Sequence, residues 1–254
     1  MPGADMGSWG RVTPQELSRL VVVSPHLDDA VLGASNLLAG SPDPVVVTVY
    51  AGRPAVYSDP PTPWDRNGGF VAGDDVVVLR REEDRAGLAV LGATPVWLDW
   101  IDSQYRSASE RVEPAQVADD LEQALRRLEP SAVAVPFGLG NDDHVDTHDA
   151  ALMVRERLGD VSWFCYEDGG YTHIPGLLAW RIGKLFRSGL WPTPAAPPVG
   201  QDADRRRRAF AHYRSQVAAL GADWHVEDLL AAPAPEQLWR LDPPPEGWEP
   251  LASM

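Results

Sequence analysis

The stretch Val21-Val22-Val23-Ser24-Pro25-His26-Leu27-Asp28-Asp29-Ala30-Val31-Leu32-Gly33 constrains the fold more than any other part of this chain. Its β-branched start predicts a buried strand and the apolar, Ala-rich segment after Asp29 predicts a helix, which leaves His26, Asp28 and Asp29 in the turn between them. Open α/β sheets carry their chemistry at such turns. His26 and Asp29 are three residues apart and can converge on one point, whereas Asp28 lies beside that point and is aimed differently. One imidazole and one carboxylate make part of a metal site of the nitrogen–oxygen type. The same residues also fit a plainer role, in which a carboxylate caps the helix and His26 is an ordinary turn histidine.

The rest of the chain alternates in the same manner. Val45 to Tyr50 predicts a second strand, whose unbroken apolar run fits a parallel strand covered on both faces. A Pro- and Gly-rich loop from Arg53 to Gly73 follows, of a length that is usually functional or disordered. Then come a helix capped by Asp74 and running to Leu91, a third strand at Val96–Leu98, and a helix over Pro114–Glu129 with Val117, Leu121, Leu125 and Leu128 on one face. Ala132–Pro136 predicts a fourth strand, Asp149–Val154 a helical segment and Val161–Tyr166 a fifth strand. Four prolines between Trp191 and Gly200 predict a rigid spacer, Ala203 to Leu220 a last helix, and Pro243 to Pro245 an extended tail. Met1 to Gly10 reads as a frayed end.

This order predicts an α/β fold with a mostly parallel sheet and helices on both faces, a Rossmann-like three-layer arrangement. In it the carboxyl ends of the first and fourth strands can be neighbours, which brings His144 to His26, Asp28 and Asp29. The first turn lacks the Gly-x-Gly-x-x-Gly spacing and no Gly-Lys-Ser/Thr loop occurs, so nucleotide binding has no support. The 254 residues are read as one domain, with its core at about 20–220 and a C-terminal extension over 221–254. A net charge of −15 argues against nucleic acid or an anionic membrane as partner. The single cysteine, Cys165, excludes an internal disulfide and a cysteine-based zinc site. No signal-peptide pattern and no apolar run of roughly 20 residues is found, and the expected location is cytoplasmic.

Ser24-Pro25-His26-Leu27-Asp28-Asp29-Ala30 resembles the Pro-His-x-Asp-Asp signature of the zinc-dependent deacetylase superfamily. That superfamily, often called LmbE-like or PIG-L, includes N-acetylglucosaminyl-phosphatidylinositol deacetylase and the mycothiol and bacillithiol pathway deacetylases. Further segments are similar in the same order: Val47 to Gly52, Trp64-Asp65 with Gly69-Phe70, Arg80 to Asp84 through Leu91-Gly92, Asp102 to Arg106, Tyr166-Glu167-Asp168, and Tyr213 to Gln216. The resemblance spans roughly Val21 to Gln216.

The resemblance implies that His26, Asp29 and His144 bind zinc, that Asp28 is the general base, and that Asp143 is the aspartate beside the third ligand. It also implies that Arg80, Asp102 and Glu167 line a substrate cleft. The chain departs from the family's His-x-Asp-His motif, having Asn141-Asp142-Asp143-His144. Asn141 then stands where the family has a histidine that stabilises the oxyanion or protonates the leaving amine. A second register, with His148 as ligand, needs one inserted residue.

Read from chemistry alone, two histidines and one carboxylate leave an open zinc position for a water whose pKa falls toward ~7. Asp28 can take the proton, and an Asn141 amide can donate to the oxyanion but cannot protonate the amine. The expected function is hydrolysis of an N-acyl, above all N-acetyl, amide on an amino sugar or its glycoside, a small-molecule substrate. A non-hydrolytic relative and a two-histidine, one-carboxylate iron enzyme are the alternatives, since the ligand set also admits Fe2+. Trp64 and Trp100 are candidates to stack on a sugar ring. Arg205 to Arg208 reads as a solvated face, and His173, His212 and His225 as structural.

Overall fold

The computed structural model describes residues 10–107, 109–221 and 236–244, so the tail at Pro245, His225, the first nine residues and most of the 221–254 segment lie outside the described residues. Seven strands form one sheet: β1 (Leu20–Ser24), β2 (Val45–Thr48), β3 (Thr94–Trp97), β4 (Ala132–Pro136), β5 (Ser162–Tyr166), β6 (Trp191–Ala195) and β7 (Leu238–Asp242). Their order is β3-β2-β1-β4-β5-β7-β6. The first five are parallel, while β7 runs antiparallel to both β5 and β6.

Because successive strand residues point to opposite faces, β1 feeds two separate cores. Leu20 and Val22 join one with Leu88, Leu91 and Phe210, from α3 (Val76–Leu91) and α7 (Ala203–Phe210). Val21 and Val23 join the other with Leu121, Ala151 and Leu185, from α4 (Pro114–Leu128), α5 (Asp142–Arg157) and α6 (Leu177–Arg187). Continuous apolar strands therefore have helices on both sides, as the sequence predicted. The chain winds outward from β1 in one direction and from β4 in the other, so the crevice at their carboxyl ends is the switch point of the sheet.

Four local readings need correction. The proline-rich segment is not a spacer but the edge strand β6, in which Pro192 and Pro194 at alternate positions put their missing N–H groups on one side, as a strand with a single partner tolerates. The long loop after Arg53 contains a short helix, α2 (Pro63–Asn67), capped by Thr62, whose hydroxyl accepts from the Asp65 N–H. The helix expected from Ala203 to Leu220 is broken into α7 and α8 (Arg214–Leu220), with buried Tyr213 at the break. The helix after β4 begins at Asp142, seven residues before Asp149.

The arginines of α7 are also more than a solvated face. Helix α1 (Asp29–Ala39) is interrupted at Ala34. Arg206 donates to the Leu32 carbonyl at 2.7 Å, and the Glu236 carboxylate accepts from the backbone N–H of Asn36 at 2.8 Å and of Leu37 at 3.3 Å. The backbone groups freed by the break are thus satisfied from outside the helix. Arg205 bridges the carbonyl ends of α1 and α3 through Ala39 and Val90.

Candidate active site

The turn after β1 is held by Ser24, whose hydroxyl donates to the His26 carbonyl at 2.7 Å and accepts from the Ala30 N–H at 3.0 Å. Asp29 opens α1 with its carboxylate turned back toward His26, whose backbone N–H donates to Oδ2 at 2.9 Å. After β4, Gly138 and Gly140 take positive φ, and Asn141 then caps α5, its side-chain oxygen accepting from the Asp143 N–H at 2.8 Å. One turn in, His144 points back over the sheet end. Its Nε2 lies 3.3 Å from Asp29 Oδ2, and His26 Nδ1 lies 3.3 Å from that same oxygen.

These separations test whether the three residues fit a metal ion. Ligands ~2.1 Å from a tetrahedral centre stand roughly 3.4 Å from one another. Both histidine nitrogens meet that requirement against Asp29 Oδ2, and the three donor atoms lie within 4.8 Å of one another. The far nitrogen of each imidazole is also tied to a carboxylate: His26 Nε2 to Asp143 Oδ2 at 3.1 Å and His144 Nδ1 to Asp168 Oδ1 at 2.6 Å. Such pairs fix the ring orientation and tautomer of a ligating histidine. Asp143 is in turn held by the Ser103 N–H at 2.8 Å and by the Arg106 guanidinium. His26, Asp102 and Asp143 also cluster closely; His26 and Asp102 line the cleft, but Asp143 is fully buried behind them and already engaged by Ser103 and Arg106.

The carboxylates set the electrostatics. Burial works against the charge of His144, yet Asp29 and Asp168 push it up to about 9. His26 is raised well above its usual range against burial, by Asp102, Asp143 and Asp29. Asp29 is held far below the carboxylate range, the two histidines outweighing burial. Asp28 is the exception: burial, and then the Asp29 charge, push its carboxyl well up. No hydrogen bond among the described residues engages the Asp28 side chain, which faces a cleft of about 340 Å³. That volume belongs to the small-molecule class.

The wall of the cleft also includes Trp64, Asp102, Gln104, Tyr171, Gln216 and Leu220. Asp102 is therefore at the cleft, its two oxygens accepting from the backbone and side-chain N–H groups of Gln104. Arg80 and Glu167 are not on this wall. Arg80 is buried, 3.1 Å from Asp65 and over the Phe70 ring, and Glu167 accepts from Trp239 Nε1 at 3.0 Å, joining the end of β5 to β7. Trp64 lines the cleft and Trp100 does not. His148 is fully buried, donates Nδ1 to the Pro136 carbonyl at 2.7 Å, is pulled down to about 3 by burial and by Arg181, and belongs to neither cluster.

Three residues of the site were not singled out from the sequence: Asp168, Arg106 and Tyr171. The first two lie within the matched segments, which gave no sign that Asp168 rather than Glu167 meets a histidine. Tyr171, in a 3-10 turn at Tyr171–His173, carried no signal beyond its place after β5.

Residues 21–154 match the sequence model of the GlcNAc-PI de-N-acetylases. The chain belongs to this PIG-L family. Among solved structures, a triple mutant of the deacetylase of teicoplanin biosynthesis is 27% identical, with a TM-score of 0.75, over 91% of this chain and 100% of that one. The A40926 pseudoaglycone deacetylase is 28% identical, with a TM-score of 0.70, over 89% and 98%. A zinc-inhibited form of teicoplanin deacetylase, 24% identical over 91% and 100% with a TM-score of 0.70, shows the same fold. No curated protein sequence matches the chain. These three structures are all of deacetylases, each matched over nearly its whole length. Among the described residues no helix is long and apolar enough to cross a membrane.

Proposed function

We propose that this PIG-L family member is a zinc-dependent N-deacetylase acting on an N-acylated amino-sugar unit of a small glycoside. The observation that carries the reading is the placing of His26 Nδ1 and His144 Nε2 each 3.3 Å from Asp29 Oδ2, with the unbonded Asp28 carboxylate beside them in the cleft. His26, Asp29 and His144 would hold the ion, which when bound supplies a Lewis acid that polarises an acyl carbonyl and lowers the pKa of the attacking water. Asp28 takes the proton of that water as it adds to the amide carbon, and the same carboxyl returns the proton to the nitrogen as the C–N bond breaks. Asp143 and Asp168 keep the histidine rings in register but touch no substrate, since both are buried behind them.

Relatives named for teicoplanin and for the A40926 pseudoaglycone support a glycopeptide-bound or similarly decorated sugar as substrate. Trp64 offers a stacking face, and Gln104 and Gln216 offer donors and acceptors for ring hydroxyls. Two imidazoles and a carboxylate suit zinc, and Fe2+ suits the same donors. The test is release of acetate from N-acetylglucosamine, its glycosides and N-acylated glycopeptide aglycones by chelator-treated protein restored with zinc or Fe2+. Metal-restored turnover on one of these classes is expected. Folded, metal-loaded protein that releases no acyl group from any of them would overturn the proposal.

A further inference from the structure

The wall of the cleft is one-sided in charge. Asp28, Asp29 and Asp102 all reach it, and no arginine or lysine does, although the chain has 22 of them. All 22 fall among the described residues, so the segments outside that set can bring no further arginine or lysine to the cleft. Three arginines in segments that border the site are spent behind its wall. Arg80 is paired with Asp65 at 3.1 Å, Arg106 with Asp143, and Arg181 donates to the Gly138 carbonyl.

Asp102 differs from the other two carboxylates of the wall. One of its oxygens lies within 4.8 Å of a ring nitrogen of His26, so it borders the reacting region. Its hydrogen-bond donors are the backbone and side-chain N–H groups of Gln104, at 2.9 and 2.8 Å, and both are neutral. They fix the carboxylate in place without cancelling its charge. A divalent ion held by His26, Asp29 and His144 would offset Asp28 and Asp29, and Asp102 would still face the cleft with no arginine or lysine opposite it.

We infer that Asp102 makes the cleft selective by charge: the acylated sugar it admits is neutral or cationic, and a sugar that carries a carboxylate, sulfate or phosphate into the cleft is turned away. An anion entering here gives up water for a wall that offers it no cation. It also meets the Asp102 charge through a medium less screening than water. Two like unit charges ~8 Å apart at an effective dielectric of ~20 weaken binding roughly 30-fold. The inference rests on the deacetylase reading above and deepens it, by naming the charge class of the substrate and the residue that sets it.

The test is a series of N-acetylglucosamine derivatives of similar size. It comprises the 2-aminoethyl, propyl and carboxymethyl β-glycosides, with the 6-sulfate of the methyl glycoside to place an anion at the other end of the ring. At an ionic strength of ~0.01 M, kcat/KM should be at least about tenfold lower for the two anions than for the propyl glycoside, mostly through KM, and the aminoethyl glycoside should be at least as good as the propyl. Raising the salt to ~0.5 M should narrow the gap, because the Debye length then falls to only a few ångströms. Asp102→Asn should narrow it at least about threefold at low salt, since the amide keeps the size of the side chain and loses the charge. Each protein is compared with itself across the series, so a general loss of activity or of bound metal in the variant cancels. Equal kcat/KM for neutral and anionic sugars in the wild type would overturn the inference while leaving the deacetylase reading intact. So would a gap that Asp102→Asn leaves unchanged. Metal-loaded wild type that releases no acyl group from this series or from N-acylated glycopeptide aglycones would overturn both.

Discussion

Replacing Asp143 by Asn separates the two jobs that its carboxylate performs. One oxygen takes His26 Nε2 at 3.1 Å and the Ser103 N–H at 2.8 Å, and the other pairs with Arg106. An amide of the same size keeps one acceptor and places an NH2 group at the other position. If the acceptor stays with His26 and Ser103, the NH2 faces the Arg106 guanidinium, and a nearly buried cation loses its partner. Breaking such a pair costs about 3–5 kcal/mol. Arg106 also lies over the Tyr50 ring at 5.2 Å and its side chain is 12% exposed, so the lower end, about 3 kcal/mol, is expected.

If instead the amide turns round, His26 loses the acceptor that orients it, and metal affinity falls by about 10–100-fold. Both orientations will be populated, so metal-free Asp143→Asn should unfold at lower urea and its zinc affinity, read by competition with a chelator, should drop at least tenfold. Unchanged zinc affinity in a folded, destabilised variant would refute the claim that Asp143 sets the ring of His26.

Asp28→Asn should keep its zinc but lose at least about 10²-fold in turnover, as removal of a general base predicts, and equal loss of bound zinc would make Asp28 a ligand. Asp84 offers a pH test outside the site: burial pushes its carboxyl up to about 6 despite hydrogen bonds from Trp97 and Tyr213. The folded state therefore keeps this proton where the unfolded chain, with a pKa of about 3.9, has lost it, so Asp84 makes stability fall as pH rises from about 4 to 6. Asn can accept from Trp97 and donate to Tyr213, so Asp84→Asn should exceed wild-type stability by on the order of 2 kcal/mol at pH 7.5 and converge with it near pH 4, measured by urea unfolding. Gly140→Ala should destabilise the fold by at least about 1–2 kcal/mol in urea unfolding, because its backbone is left-handed and an added Cβ would meet the Tyr171 ring; wild-type stability would show that the turn before Asn141 does not need the glycine.

The parallel strands, and the meeting of His26 with Asp29, were legible because they depend on short-range pattern, whereas His144 was joined to them through the strand order and the resemblance. Unbroken runs such as Val45–Val49 have few alternatives to a buried parallel strand, and His26 and Asp29 lie within one turn of each other. What escaped depends on partners far away in the chain. Pro192 and Pro194 read as strand breakers because nothing local reveals that β7 pairs with them. Arg80 and Glu167 carry charge in segments near the cleft, yet Asp65 and Trp239 hold them elsewhere. The resemblance put Asp143 beside the third ligand, but nothing in the sequence marked it or Asp168 as buried; they are 0% and 1% exposed, a burial offset by the imidazoles they meet and, for Asp143, by Arg106 and the Ser103 N–H.

The placing of β7 also orders events as the chain emerges during synthesis. Until residues 238–242 arrive, β5 is an edge strand whose Phe164, Cys165 and Tyr166 present unpaired backbone groups, and β6, already made, has no strand to lie against. The crevice between β1 and β4 is complete before that, so the ligand residues can gather while one border of the sheet is still open. An exposed apolar edge of this kind templates pairing between chains. A chain that ends before Glu236 would therefore leave β5 as an open edge and the break in α1 without its carboxylate, and would tend to aggregate.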